Sequence, residues 1–411
     1  MPGREGPAVI LLVNPAGVHQ GGYNHPPLGL LYLAGACRSS GVECRIVDGY
    51  LEGERGVREA IIQVGPGWVG VGAMTPGRHQ ALDVVRLAKR FGYRTVMGGV
   101  HPTLMWHQVM GNCAELDYIV LGEGEESLVR LVQGDSPESI PGVVYRDSCG
   151  IPTCSDGPRR NVVDLDSIPF PAWDTVQFDQ YVSAGGGGPR VVFTRGCWGN
   201  CSFCSTTRFW KGVRQRTPAN MAEELRWLKR LGQRSFVFAD DQFAANRESV
   251  LGLCEAIADD GMEWFATMRA DRVDVEMLAA MKRAGCYGCS YGFESGCQRI
   301  LDGIGKHITV EQNEQAAQLT KEAGLRLVAL MIRGNVGETL ESVADTRRFL
   351  ERTRPDEVGS VGALWVLPGT RLYDRMVEAA RLSDDFWLTG EPYYIYAGEL
   401  DGPNWYGGAI W

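Results

Sequence analysis

The chain has 411 residues, of which 44% are hydrophobic and 22% are charged, and its formal net charge is −9. This ordinary balance can fill a sizeable core and allows two or three domains, so it excludes a disordered chain, a collagen and a mini-protein. The acidic charge does not favour binding to a phosphate backbone.

The first residues, MPGREGPAVILLVNP, contain an apolar run that is typical of a strand. The run is too short for a membrane span or a secretory leader. We therefore expect a cytoplasmic chain with no membrane partner, whose thiols stay reduced. The twelve cysteines are unusual. In such a compartment clustered cysteines indicate metal or redox chemistry, whereas scattered cysteines are usually buried apolar residues.

Residues 1–135 alternate short apolar runs with helical patterns, which predicts an α/β fold with a doubly wound parallel sheet. Ligands in this architecture bind at the carboxyl ends of the strands. The predicted strands are Val9–Val13, Cys44–Val47, Trp68–Met74, Val96–Gly99 and Tyr118–Leu121.

Residues 136–189 are rich in Pro and Gly and are predicted to be a surface linker with one hairpin. The alternation resumes over residues 190–385, where six βα units predict a partial (β/α)6 barrel. Residues 386–411 are rich in aromatics that either close the open side of the barrel or line the substrate pocket. The predicted barrel strands are Val191–Thr194, Ser235–Ala239, Trp264–Met268, Gly288–Phe293, Leu327–Ile332 and Val358–Leu367.

Cys197, Cys201 and Cys204 follow the first predicted barrel strand with C-x3-C-x2-C spacing. Three thiolates so close together can face one metal centre. A zinc site normally takes a fourth ligand, yet the next cysteine is Cys254. A [4Fe–4S] cluster held by three thiolates instead leaves one iron open for a substrate or cofactor. The motif therefore favours a [4Fe–4S] cluster.

This motif, with Phe203 just before the last cysteine, resembles the radical S-adenosylmethionine (SAM) superfamily, and the resemblance extends over residues 190–390. It implies that the open iron chelates SAM. Reductive cleavage of SAM would then give a 5′-deoxyadenosyl radical that abstracts hydrogen from a small molecule. It also implies a reducing partner such as flavodoxin or ferredoxin. The matching segments imply a set of SAM-binding residues: Phe203, Asp240, Asp241, Arg269, Glu294, Ser295 and Gly334.

Tyr291, in the fourth predicted barrel strand, and Glu294, directly after it, are assigned to catalysis. The Tyr291 phenol would donate a hydrogen to a substrate radical, and core packing is the alternative. A purely structural role is the alternative for Glu294, and helix capping is the alternative for Asp240 and Asp241.

The segments VGVGAMTP, MGGVHPT and YIVLGEGEESL, in this order, resemble the cobalamin-binding domain that precedes the barrel in one radical SAM subfamily. The resemblance covers residues 8–132. The usual D-x-H-x-x-G signature lacks its Asp here, because the chain has Gly17-x-His19-x-x-Gly22, and this argues against His19 as a cobalt ligand. A sheet retained only as a scaffold is the alternative. The implied cobalamin contacts are Thr75, Gly98, Gly99, His101 and Gly122.

Cys286 and Cys289 form a second cysteine pair, with Cys297 beyond. Strand residues three apart point to opposite faces, so joint ligation of an auxiliary cluster requires a bend at Gly288. We interpret these cysteines as buried thiols.

The two resemblances predict cobalamin-dependent methyl transfer to an unactivated carbon of a small-molecule natural product. A cobalamin-independent dehydration or epimerisation of an aminoglycoside-type sugar is an alternative, and a cobalamin-binding regulatory module is another. A tRNA-modifying enzyme is a further alternative. The acidic charge and the lack of a basic appended domain argue against it, so we expect no nucleic-acid partner.

Overall fold

The computed structural model describes residues 9–17, 25–65, 67–155 and 161–396. His19 and Gly22 lie outside the described residues. The chain forms two compact units. Unit 1 contains the described residues up to Gly188 and also Ala380–Pro392, whereas unit 2 contains Pro189–Ala379 and the described residues from Tyr393. No helix among the described residues is both long enough and apolar enough to cross a lipid bilayer.

Unit 1 is built on a seven-stranded sheet with the order β2-β1-β3-β4-β5-β6-β7. The first five strands in that order run parallel, and β6 and β7 are antiparallel. The predicted doubly wound sheet is thus confirmed. The strands are β1 (Val9–Asn14), β2 (Glu43–Asp48), β3 (Trp68–Gly72), β4 (Arg94–Gly98), β5 (Tyr118–Val120), β6 (Val143–Arg146) and β7 (Pro152–Cys154).

Helices cover this sheet, so the central strands are nearly continuous apolar runs, as in Ile10–Val13. In α3 the buried residues Ala81, Val84, Val85 and Ala88 recur at the helical spacing. The helices of unit 1 are α1 (Leu28–Ser39), α2 (Gly49–Val64), α3 (Arg78–Arg90), α4 (Val100–Leu104), α5 (Trp106–Asn112), α6 (Glu125–Gln133) and α7 (Phe178–Ser183).

In the segment predicted to be a surface linker, the described residues up to Gly188 belong to unit 1. Its hairpin, β6 and β7, extends the sheet. Farther along, the Ala172 N–H donates to the Leu31 carbonyl of α1 at 3.0 Å. The Pro- and Gly-rich composition did not reveal these contacts, because they depend on partners elsewhere in the chain, which for Ala172 lie more than a hundred residues earlier.

Unit 2 contains a six-stranded parallel sheet with the order β15-β14-β13-β12-β11-β8. Neighbours in the sheet are consecutive βα units, which confirms the predicted partial barrel. Two short antiparallel pairs, β9 with β10 and β16 with β17, lie outside this sheet. The strands are β8 (Arg190–Val191), β9 (Thr194–Arg195), β10 (Arg214–Gln215), β11 (Ser235–Phe238), β12 (Glu263–Met268), β13 (Cys286–Glu294), β14 (Arg326–Arg333), β15 (Glu357–Ala363), β16 (Trp365–Val366) and β17 (Tyr394–Ile395).

The helices of unit 2 are capped by side chains at most of their starts, for example by Thr309 and Thr339 in reciprocal capping boxes. They are α8 (Thr206–Phe209), α9 (Pro218–Arg230), α10 (Arg247–Ile257), α11 (Val275–Arg283), α12 (Gln298–Gly303), α13 (Val310–Glu322), α14 (Leu340–Thr353) and α15 (Arg371–Glu378).

The aromatic C-terminal segment does not behave as one element. Ala380–Pro392 packs within unit 1, whereas Tyr393–Tyr396 stays in unit 2, where the Tyr393 ring stacks on Trp365 at 4.5 Å. The expectation that residues 386–411 close the barrel or line the substrate pocket stays a prediction. Residues 397–411 lie outside the described residues.

Candidate active site

The three cysteines lie on a loop whose two ends are held together. β9 precedes the loop and pairs antiparallel with β10, which follows it. Between these strands, Gly196 has a φ of +96°, and a Cβ there would lie 2.2 Å from the Gly212 carbonyl oxygen. Only glycine fits this close approach of the two backbones. The two ends of the cysteine loop are therefore joined by strand pairing. The sequence predicted a strand before the cysteines but not its partner β10.

Asp241 fastens the same loop from the end of β11. Its carboxylate accepts a bond from the Gly196 N–H at 3.1 Å, just before Cys197. It also accepts from the Thr206 hydroxyl at 3.1 Å, two residues after Cys204. The Trp210 side chain bonds to it as well, and burial raises the pKa of the carboxyl group. Asp241 is thus bonded to residues on both sides of the three cysteines.

One backbone donor and two cations lie near the cysteine sulfurs, and a backbone bond fixes the loop beside them. The Gly199 N–H donates to Cys197 Sγ at 3.3 Å, and the Ser202 N–H donates to the Ile304 carbonyl after α12 at 2.8 Å. Burial raises the pKa of the Cys201 thiol, and the charges of Lys306 and Arg269 act in the opposite direction. Thiolates bound to iron carry negative charge, so this environment suits an iron–sulfur cluster.

Lys306 and Glu294 form a buried ion pair beside Cys201. The Lys306 Nζ lies 2.8 Å from Glu294 Oε1, and the side chains are only 7% and 8% exposed. Burial disfavours the ammonium, yet the Glu294 carboxylate and the Cys201 sulfur hold the pKa of Lys306 above its ordinary value. Glu294 has a φ of +64°, which is uncommon for a residue with a side chain. Glu294 was predicted from the sequence as a site residue. Lys306 was not, although it lies only three residues after the end of α12.

Several buried polar atoms, at the start of β9 and after β11, lack a hydrogen-bond partner among the described residues. They are Thr194 Oγ1, Asp240 Oδ2 and Gln242 Oε1. The other Asp240 oxygen accepts from the backbone N–H groups of Phe193, at 3.0 Å, and Thr194. Unsatisfied buried acceptors are costly, so they indicate a polar ligand. SAM offers an ammonium group and ribose hydroxyls that fit them.

Tyr291 does not line the barrel, and its predicted catalytic role is wrong. The ring is fully buried, and its hydroxyl lies 2.7 Å from Thr320 Oγ1 of α13. It stacks on Phe293, which contacts Phe349 of α14. Tyr291 therefore packs between the sheet and the outer helices.

Three of the remaining predicted SAM contacts have local partners, and the fourth is Phe203. The Ser295 hydroxyl lies 3.2 Å from Thr346 Oγ1 and accepts from the Cys297 N–H, and the Gly334 N–H donates to Glu338 at 2.7 Å. Arg269 binds Asp271 and donates to the Lys306 carbonyl at 2.9 Å. Phe203 is half-buried within the cysteine loop.

Cys286 and Cys289 have buried thiols 4.0 Å apart. The register of β13 against β12 shifts between Cys286 and Gly288, which supplies the bend that the sequence analysis required. Across the described part of the chain, no three His, Cys, Asp or Glu side chains form a ligand group for a single metal ion. A cluster is a different case, because each thiolate binds its own iron.

In unit 1 the predicted cobalamin contacts do meet at the carboxyl edge of the sheet. The Ala73 N–H donates to the Gly98 carbonyl at 2.9 Å, and the Gly122 N–H donates to Thr103 Oγ1 at 2.9 Å. Gly99 has a φ of +99°, and a Cβ there would lie 2.8 Å from the Ala73 carbonyl oxygen. Because Gly99 has no Cβ, the loop after β4 can pack closely against the loop after β3.

Thr75 and His101 are buried against each other, with 3.3 Å between Oγ1 and Nδ1. Burial lowers the pKa of His101 to about 3, so the ring is neutral. The Trp387 ring lies edge-on to it at 6.3 Å. These side chains therefore face each other, and their contact with a corrin stays a prediction.

Gln80 is a residue of this edge that the sequence analysis missed. Its Oε1 is buried and has no hydrogen-bond partner among the described residues, and its Cγ would lie 4.0 Å from a Cβ on Gly17, in the loop after β1. The strand order 2-1-3-4-5 places the ligand crevice between β1 and β3. An acceptor at that point suits the amide groups around a corrin ring.

Comparisons with known proteins identify the family of each unit. The sequence matches the family profile of the B12 binding domain over residues 16–132 and that of the radical SAM superfamily over residues 191–350. An uncharacterised methyltransferase of Pyrococcus horikoshii is 32% identical over 86% of this chain and 79% of its own length. The anaerobic magnesium-protoporphyrin IX monomethyl ester cyclase of Rubrivivax gelatinosus is 32% identical over 84% of this chain and 66% of its own length. The cytidylyl-2-hydroxyethylphosphonate methyltransferase of Streptomyces wedmorensis is 25% identical over 83% of this chain.

Two solved structures share the fold. The cobalamin-dependent SAM radical enzyme OxsB superposes with a TM-score of 0.81 at 18% identity, covering 91% of this chain and 61% of that one. The radical SAM methyltransferase TsrM of Kitasatospora setae superposes with a TM-score of 0.77 at 20% identity, covering 91% of this chain and 75% of that one. The chain therefore belongs to the radical SAM superfamily, in the subfamily with a cobalamin-binding domain before the barrel, and its cofactors are a [4Fe–4S] cluster, SAM and cobalamin.

Proposed function

We propose that this chain transfers a methyl group to an unactivated carbon of a small molecule in a cobalamin-dependent radical reaction. One observation carries the proposal: a B12 binding domain and a radical SAM barrel occur together in one chain whose relatives include methyltransferases. When bound, the cluster and SAM supply a 5′-deoxyadenosyl radical for hydrogen abstraction, and cobalamin supplies the methyl group.

The cysteine loop holds the cluster in this proposal. Cys197, Cys201 and Cys204 provide three thiolates, and Asp241 keeps the loop closed around them through its bonds to Gly196 and Thr206. Lys306 places a positive charge beside the Cys201 sulfur, and Glu294 fixes the position of its ammonium group. Opposite charges in a dry site interact strongly, so the Lys306 ammonium would offset part of the negative charge of the thiolates.

The polar atoms without partners bind SAM in this proposal. Asp240 uses one oxygen to bind the backbone before the cysteine loop, which leaves Oδ2 free to accept from the ligand. The Thr194 hydroxyl lies on the neighbouring strand and is also free among the described residues. A ligand ammonium or hydroxyl at this position would remove the cost of leaving these atoms unpaired.

A labelled methyl group tests the proposal. The reconstituted chain is incubated under anaerobic conditions with SAM carrying a trideuterated methyl group, reduced flavodoxin and a panel of small natural products. We expect a product that has gained the labelled methyl group in place of one hydrogen. A product that has lost water, or whose mass is unchanged, would contradict methyl transfer and favour dehydration or epimerisation.

A further inference from the structure

The residues after the barrel return to unit 1, where one buried arginine binds them. Arg78, the first residue of α3, is 1% exposed. Each of its five N–H donors has a backbone carbonyl partner, at 2.5 to 3.4 Å. The accepting carbonyls belong to Thr75, Trp387, Thr389, Glu391 and Pro392.

No carboxylate forms an ion pair with Arg78 in the part of the chain that the structure describes. Burial lowers the pKa of its guanidinium to about 10. The carbonyl dipoles therefore take the place of an acidic partner, and the Trp387 ring adds a cation–π contact at 5.2 Å. A lysine has three donors without the planar fork and cannot make this set of bonds.

The neighbours of Arg78 place this contact at the ligand end of the sheet. Thr75 begins the turn after β3, and His101 follows β4 under the Trp387 ring. His79 also bonds to the Thr389 carbonyl. Gln80 follows two residues after Arg78, on a different face of α3. Its Oε1 is buried without a partner among the described residues, and its Cγ would lie 4.0 Å from a Cβ on Gly17, in the loop after β1. In this strand order the crevice between β1 and β3 holds the ligand.

We propose that the first turn of α3 and the segment Ala380–Pro392 together form one wall of the cobalamin site. Gln80 Oε1 accepts a hydrogen bond from an amide group at the corrin edge. Arg78 is a positioning residue that holds the segment and the turn together. The inference rests on cobalamin binding, which the proposed function requires. It implies that a B12-binding fragment ending before residue 380 is incomplete.

Cobalamin affinity of three variants of the full chain tests this. Hydroxocobalamin is titrated into apo chain under anaerobic conditions, and binding is followed by corrin absorbance. We expect Gln80→Met to bind at least about fivefold more weakly while its apo melting temperature stays equal or rises, because an unpaired buried acceptor has been removed. We expect Arg78→Lys to bind at least about tenfold more weakly and to become sensitive to protease within Ala380–Pro392. Arg86→Lys, on an exposed turn of the same helix, should match the wild type in both measurements.

The outcomes distinguish a failure of the proposed function from a failure of the proposed cobalamin site wall. If the wild-type chain binds no cobalamin, the proposed function fails. If the wild type binds and Gln80→Met binds equally well, the site wall is not where we place it. The proposal is also overturned if Arg78→Lys binds cobalamin as tightly as the wild type although Ala380–Pro392 has become sensitive to protease. Iron content after cluster reconstitution verifies that each variant retains a folded unit 2.

Discussion

The buried pair of Lys306 and Glu294 should stabilise unit 2 only when both members are present. Its Nζ–Oε1 distance is 2.8 Å and both side chains are more than nine-tenths buried. Lys306→Met leaves a buried carboxylate without its cation, which should lower the free energy of unfolding by about 3 to 5 kcal/mol. Adding Glu294→Gln removes the stranded charge. The double variant should therefore recover most of that loss, giving a coupling energy of at least about 2 kcal/mol.

Urea unfolding of the four apo proteins, followed by circular dichroism, measures this cycle. The exposed pair of Arg326 and Glu357, which joins neighbouring strands of the same sheet with exposures of 50% and 45%, is the matched control. Arg326→Met should cost less than about 1 kcal/mol. The reasoning is refuted if Lys306→Met costs no more than this control, or if the two single effects of the buried pair simply add.

Three further predictions concern single residues of the two units. Asp241→Ala should lose most of the iron retained after reconstitution, because three donors around the cysteine loop lose their acceptor. Asp241→Asn keeps one acceptor oxygen and should retain more iron. Equal iron content in the two variants would contradict this role of Asp241. Tyr291→Phe should lower the free energy of unfolding by about 1 kcal/mol, because the hydrogen bond to Thr320 is lost. The rate of SAM cleavage should not change. A large fall in that rate would instead support a catalytic role for the phenol. The pKa of His101 is near 3 in the folded chain, against 6.5 ordinarily, so acid protonates the unfolded state first. As the pH falls from 7 to 5, the free energy of unfolding should therefore fall by about 2 kcal/mol. His101→Gln should reduce this pH dependence. An unchanged pH dependence in the variant would contradict a buried neutral ring.

The sequence was a good guide where a signal is local. The alternation of apolar runs located all five parallel strands of unit 1, and the spacing of Cys197, Cys201 and Cys204 identified the cysteine loop. The strand β13 is buried on both faces, so its sequence cannot tell which residues face the barrel interior. Tyr291 was assigned to the wrong face for this reason.

Other features depend on partners far apart in the chain. Arg78 contacts carbonyls more than 300 residues later, and no local pattern marks it as different from any arginine that starts a helix. Lys306 becomes important only through the turn after α12, which brings it back to Glu294 at the end of β13. Asp240 and Asp241 were recognised as polar residues at a strand end, but their bonds to the cysteine loop required the three-dimensional structure.

The products of SAM are the most direct measure of the central claim that one chain uses both cofactors. The chain is reconstituted anaerobically with iron, sulfide and cobalamin, freed of unbound corrinoid, and given SAM, reductant and substrate. We predict retained corrinoid absorbance and formation of both 5′-deoxyadenosine and S-adenosylhomocysteine, with 5′-deoxyadenosine abolished in Cys201→Ala. Full turnover that gives 5′-deoxyadenosine alone, without bound corrinoid, would contradict the account.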